Sequence, residues 1–168
     1  KPCSLSSSPV ATMILLVSFL PAPLFALSED SQQPIQVEAN NLEARELENI
    51  SIYTGDVRLN QGSLAIRSER LVIRLVGEKA LMTMEMTGAP ATFRQLDDQQ
   101  QEVYGEADKI EYFEAESTVI LTGNAKLIQS GDSIQSQRIQ LNTQSNHLQA
   151  GSSEPDNRVR MLIQPKQQ

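Results

Sequence analysis

The sequence predicts an all-β protein built as a stack of antiparallel hairpins. Three observations carry that expectation: apolar residues recur at every second position, glycine-centred pairs punctuate the runs, and the chain repeats itself at a fixed offset. Laying Ala39 on Ala107 aligns 39–73 with 107–141 without a gap, and 12 of the 35 pairs are identical. Average composition would give roughly two or three.

Before the first strand, Met13-Ile14-Leu15-Leu16-Val17-Ser18-Phe19-Leu20 forms an apolar run followed by Pro21, Pro23 and the small Ala26. Such a run is far short of the roughly 20 residues a spanning helix needs, and the prolines end it. Residues 1–26 are therefore expected to be a cleaved signal peptide, with cleavage after Ala26. The remaining chain, 27–168, is the size of one domain. Cys3, the only cysteine, leaves with the leader, so the mature chain has no thiol chemistry.

In the first repeat (about 35–75), Ile35, Val37 and Ala39 alternate with polar neighbours; Ile50 and Ile52, Val57 and Leu59, Leu64 and Ile66, then Leu71, Ile73 and Leu75 continue the pattern. Segment 42–47 has helix-forming composition, but its repeat partner 110–115 contains Tyr112 and Phe113, so both are read as strands. Met82, Met84 and Met86 fall on one side of a further strand. Residues 97–101 read as a polar hairpin tip. The second repeat (about 103–143) brings Ile110 and Tyr112, Ala125 and Leu127, Ile134, then Ile139 and Leu141, and Val159, Met161 and Ile163 close the pattern. A tail at 166–168 is expected to be disordered. Gly55-Asp56, Gly62-Ser63, Gly123-Asn124, Gly131-Asp132 and Gly151-Ser152 are read as turns between short strands. One domain, 27–165, is thus expected to be a jelly-roll-like solenoid whose inward faces join in a single apolar seam; a closed barrel is the competing geometry.

The formal net charge of −7, or −8 once Lys1 leaves with the leader, repels phosphate backbones and argues against nucleic acid as a partner. His147 is the one histidine, in a polar stretch, so the common zinc sets of Cys and His cannot be assembled; no metal and no cofactor are expected. Glu43, Glu46 and Glu48 match Glu111, Glu114 and Glu116 in the other repeat, but most alternate with apolar positions and are expected to face water. With no G-x-S-x-G elbow either, catalysis is not expected. The seam itself is aliphatic and methionine-rich, without tryptophan, which suits irregular apolar ligands better than sugars, although methionine in a strand is more often ordinary core filler.

An open solenoid leaves its first and last strands unpaired. Segments 35–39 and 158–163 are alternating and proline-free, so Ile35, Val37, Val159, Met161 and Ile163 are the expected interface of head-to-tail self-association.

Pro34-Ile35-Gln36-Val37-Glu38-Ala39, the turns Thr54-Gly55-Asp56 and Thr122-Gly123-Asn124, and Gly88-Ala89-Pro90-Ala91-Thr92-Phe93 together resemble the LptA (OstA) family. The resemblance implies a twisted, V-shaped OstA-like β-jellyroll of about sixteen antiparallel strands, open at both ends. It further implies a periplasmic, non-enzymatic protein that shelters the lipid A acyl chains of lipopolysaccharide, with Ile35, Val37, Phe93 and Tyr112 at the lipid-contacting positions. Glu114 stands at a neighbouring groove position that tends to be apolar in relatives. The implied partners are an LptC-like inner-membrane protein and an LptD-like outer-membrane protein. The alternative from another class is a structural or carbohydrate-binding β-solenoid without lipid transport.

Overall fold

The computed structural model describes residues 30, 33–77, 81–97, 99–145, 147–151 and 158–164. The expected leader, the tail, Asp98, Ser152, Pro155 and Pro165 lie outside them. Among the described residues the chain forms ten strands in one antiparallel sheet. They are β1 (Gln36–Glu38), β2 (Asn41–Arg45), β3 (Ile50–Gln61), β4 (Leu64–Val76), β5 (Leu81–Leu96), β6 (Glu102–Phe113), β7 (Thr118–Gln129), β8 (Asp132–Asn142), β9 (His147–Gly151) and β10 (Arg160–Leu162). The order is β1-β3-β4-β5-β6-β7-β8-β10, with β2 also on β3 and β9 also on β8. Since β1 and β10 stand at opposite ends and do not pair, the sheet is open and the barrel geometry is excluded.

Strand length is where expectation and structure part. Six strands, β3 to β8, run 11 to 16 residues, so among the described residues two successive short strands of the expected pattern are joined into one continuous ladder. Gly55-Asp56 and Gly123-Asn124 are not turns. Their positive φ values, 83 and 43° in one pair and 78 and 48° in the other, mark bulges inside β3 and β7, after which the ladder resumes. Gly151 ends β9, paired to Arg138, and the expected turn at Gly151-Ser152 lies partly outside the described residues. The other two glycine pairs do connect strands, β3 to β4 at Gly62-Ser63 and β7 to β8 around Gly131. Segment 42–47 is strand only through Arg45. A single 3-10 turn, Glu46–Glu48, then reverses the chain through left-handed Asn49, and Glu114–Glu116 with left-handed Ser117 does the same in the second repeat.

Register shifts fall between Thr54 and Val57, Arg67 and Arg70, Thr87 and Ala91, Glu106 and Lys109, and Thr122 and Ala125. These positions neighbour one another across the sheet, so the irregularities align into one crease. The crease divides each long strand between two limbs. The first holds β1, β10 and the strand halves around Leu59 and Phe93; the second holds β2, β9 and the halves around Leu71 and Ile110. Inward residues of both limbs form one core, including Leu59, Ile66, Phe93 and Leu127 from the first and Leu71, Met86, Ile110, Leu121 and Ile139 from the second. At the crease the inward residues are small: Ser68, Ala91, Ala107 and Ala125 are all buried. Small side chains there let the limbs close on each other. Among the described residues, no helix is long and apolar enough to cross a membrane.

Candidate functional site

Cross-strand register assembles the inward face into rows. In the first limb Val37 lies opposite Leu59, Leu59 opposite Ile66, Ile66 opposite Phe93, Phe93 opposite Gly105, Gly105 opposite Leu127, Leu127 opposite Ile134 and Ile134 opposite Met161. One row thus runs from the first edge of the sheet to the last. A second-limb row links Ala44, Ser51, Ile73, Met84, Tyr112, Val119, Leu141 and Leu148 in the same way. The interior is a continuous apolar core because strands of period two, stacked in register, place like positions side by side.

Where the sheet begins, the core borders a cavity of about 370 Å³ lined by Ile35, Tyr53, Ile73, Leu75 and Met82 and also by Arg45 and Glu46. Arg45 is held by Glu43 at 2.7 Å and Glu48 at 3.5 Å. The outward face of the second limb is charged. Arg70 pairs with Glu85 at 3.7 Å, Glu85 with Lys109 at 3.2 Å, and Lys109 with Glu111 at 2.9 Å.

The residues expected to contact ligand separate into three settings. Val37 and Phe93 share the edge-to-edge row, Val37 half-buried and Phe93 9% exposed above Gly105. Tyr112 is half-buried in the other limb between Met84 and Val119, and burial, followed by the nearby Glu114 carboxylate, pushes its hydroxyl pKa up. Ile35 lies outside the core at the cavity mouth. Glu114 itself is exposed, and its carboxylate accepts the Met82 N–H at 2.6 Å. Of the expected interface residues, Val159, Met161 and Ile163 are 45, 58 and 65% exposed. Met82, Met84 and Met86 fall on one face as anticipated, the last two buried. His147 is exposed and begins β9. No group of three His, Cys, Asp or Glu among the described residues gathers to hold a metal ion.

Sequence reasoning missed Tyr53, taking Ile50 and Ile52 as the buried pair; Tyr53 packs on the core instead. Tyr53 keeps the parity of the buried Val57 and Leu59, so on β3 the inward alternation runs through the bulge at Gly55-Asp56 without a change of phase. The repeat carried the signal, since Tyr53 aligns with Leu121, which is fully buried.

A creased open sheet, apolar within, charged without and unpaired at both edges, defines a groove-forming β-jellyroll. This chain belongs to the family described as LptA/(LptD N-terminal domain) LPS transport protein, which matches residues 36–147. It is 33% identical to the lipopolysaccharide export system protein LptA of Escherichia coli K12, over 99% of this chain and 89% of that protein. To LptH of Pseudomonas aeruginosa, also described as a lipopolysaccharide export system protein, identity is 30% over 84% of this chain and 85% of the relative. A crystal structure of LptH, described as a periplasmic component of the lipopolysaccharide transport device, superposes with a TM-score of 0.74 at 27% identity, covering 82% of this chain and 99% of that one.

Proposed function

We propose that this chain is a periplasmic lipopolysaccharide transport protein that shelters acyl chains in the channel between its two limbs and performs no catalysis. The observation that carries the reading is the apolar row from Val37 to Met161, which spans the whole sheet and ends at two unpaired edges. Burying a methylene is worth roughly 0.8 kcal/mol, so several acyl chains in one channel can compete with a membrane where one chain cannot. Residues 1–26 act as the leader to the periplasm, 27–165 form the single carrier domain and 166–168 its tail.

Ile35, Val37, Phe93 and Tyr112 contact the lipid in this reading, Phe93 once its ring shifts off Gly105. The edges support head-to-tail assembly. Strand direction alternates from β1 to β10, so β1 of a following copy meets β10 in antiparallel sense, and β2 meets β9 likewise. The contact is heterologous and generates an open filament. The same edges suit the jellyroll domains of LptC-like and LptD-like partners, which would extend the channel to each membrane.

Photo-crosslinking residues at Val37 and at Tyr112 test this. Both should capture lipopolysaccharide, whereas one at Arg58, exposed on the outward face, should not. Equal capture at all three positions would refute a specific channel.

A further inference from the structure

The two lips of the channel differ in chemistry. At the hairpin tips of the second limb the inward pair is Leu75 opposite Met82. At those of the first limb the inward row is interrupted by amides: Gln61 on β3 and Gln129 on β7, identical in the repeat, and Gln95 on β5 between them. All three are half-buried, and each follows a buried aliphatic or aromatic residue two positions along the same face: Leu59, Leu127 and Phe93. A neutral amide in this setting is costly unless it is hydrogen-bonded.

Part of that demand is met within the protein. Gln95 Nε2 donates to the Asp30 carboxylate at 3.3 Å, and Gln129 Nε2 donates to that of Asp97 at 3.4 Å. Both carboxylates are themselves fixed: Asp30 accepts from the Ser63 N–H, and Asp97 from the N–H groups of Gln99 and Gln101. One of the two N–H donors of Gln95 and one of Gln129 are thereby committed, which orients each amide, while their amide oxygens accept no hydrogen bond among the described residues. What remains is a pair of oriented acceptors at the edge of an apolar channel.

A ligand group for such a site must donate hydrogen bonds and carry no obligatory negative charge there, because the Asp30 and Asp97 carboxylates stand beside it. Hydroxyls satisfy both conditions; a phosphate satisfies neither without a cation. Gln95 and Gln129 sit two strands apart, roughly 10 Å at the usual strand spacing, a distance that a two-sugar unit spans better than a single small head group. We propose that Gln95 and Gln129 bind the sugar hydroxyls of a glycolipid whose acyl chains occupy the channel, so that the cargo enters in one orientation, with its sugar at the first-limb lip. This rests on the channel being the lipid site.

The test uses the purified chain and Gln95→Met, Gln129→Met and the double variant, each titrated with lipopolysaccharide, phosphatidylglycerol and a fluorescent fatty acid. Removing one neutral hydrogen bond is worth about fivefold in affinity, so each single variant should weaken lipopolysaccharide binding about that much, and the double variant at least tenfold. Fatty-acid and phosphatidylglycerol binding should stay unchanged. Unaltered lipopolysaccharide affinity in the double variant would overturn the proposal. So would an equal loss for all three ligands, which would make the amides braces of the hairpin tips and leave the channel reading intact. Failure of the unsubstituted chain to bind any of the three would defeat the channel reading itself.

Discussion

Phe93 lies opposite Gly105, and its ring fills the space that a side chain at 105 would take. The glycine is needed for that close approach and not for an unusual backbone, since its φ is not positive. Gly105→Ala is expected to destabilise the protein by about 1–3 kcal/mol, the usual cost of overpacking, and Phe93→Leu in the same chain should recover part of it. Urea denaturation of both singles and the double measures the coupling; strictly additive losses would mean the ring does not oppose the added methyl. Tyr104, on the outward face, donates its hydroxyl to Glu106 at 2.7 Å. Burial, then the hydrogen bond and charge of Glu106, push its pKa from 10.0 up to about 12. Below pH 10 the tyrosine is neutral in both folded and unfolded chains, and its contribution is fully present. As pH rises from 10 through about 12, the unfolded chain ionises first and that contribution is lost. The stability difference between wild type and Tyr104→Phe should therefore shrink across that interval. A difference that stays constant from pH 9 to 12 would contradict the bond.

At the level of strands, the edges carry a readable register. Glu38 and Arg160 end the same outward row, which passes through Arg58, Arg67, Thr92, Glu106, Lys126 and Gln135. If that row continues between copies, Arg160 lies opposite Glu38 of the next copy, and Met161 opposite Val37 of the next copy. Both charged residues are exposed, and neither forms an ion pair among the described residues. Reversing one charge, as Glu38→Arg or Arg160→Glu, is expected to weaken self-association about two- to fivefold, and making both changes should restore it. Light scattering over a concentration series reads the outcome. Failure of the double reversal to recover association would exclude this register, though not every edge contact. Because the net charge of −7 opposes assembly, raising salt should strengthen association in all variants whose edge charges are matched.

For the whole molecule, each strand from β3 to β8 pairs with its neighbours in sequence, so stability propagates along one dimension. Central strands are braced on both sides. The short edge strands β1, β2, β9 and β10 are paired on one side only and hold exposed residues such as Leu42, 60% exposed. Amide hydrogen exchange should be slowest in β4 to β7 and fastest at the edges, and edge protection should rise with protein concentration as copies cover one another. Uniform protection from β1 to β10 would point to a single cooperative unit instead of a graded stack.

The sequence by itself determined the strand character, the repetition of 39–73 in 107–141 and the inward side of Val37, Tyr112 and Met161. Those are local or translational properties: a period of two selects a face, and a repeated period selects a repeated face. The family was legible for the same reason, since its motifs mark bulges and inward positions in a fixed order. Only the tertiary structure decided that Gly55-Asp56 and Gly123-Asn124 bend strands instead of ending them. Positive φ at a glycine is compatible with a turn or a bulge, and the choice rests on whether the neighbouring strand continues the hydrogen-bond ladder beyond it. That neighbour also settled the alignment of the shifts into a crease and the meeting of Ile35 with Ile73 and Met82 at one cavity mouth. Register is a relation between strands, and a one-residue slip moves every later side chain to the other face, so no reading of a single strand contains it.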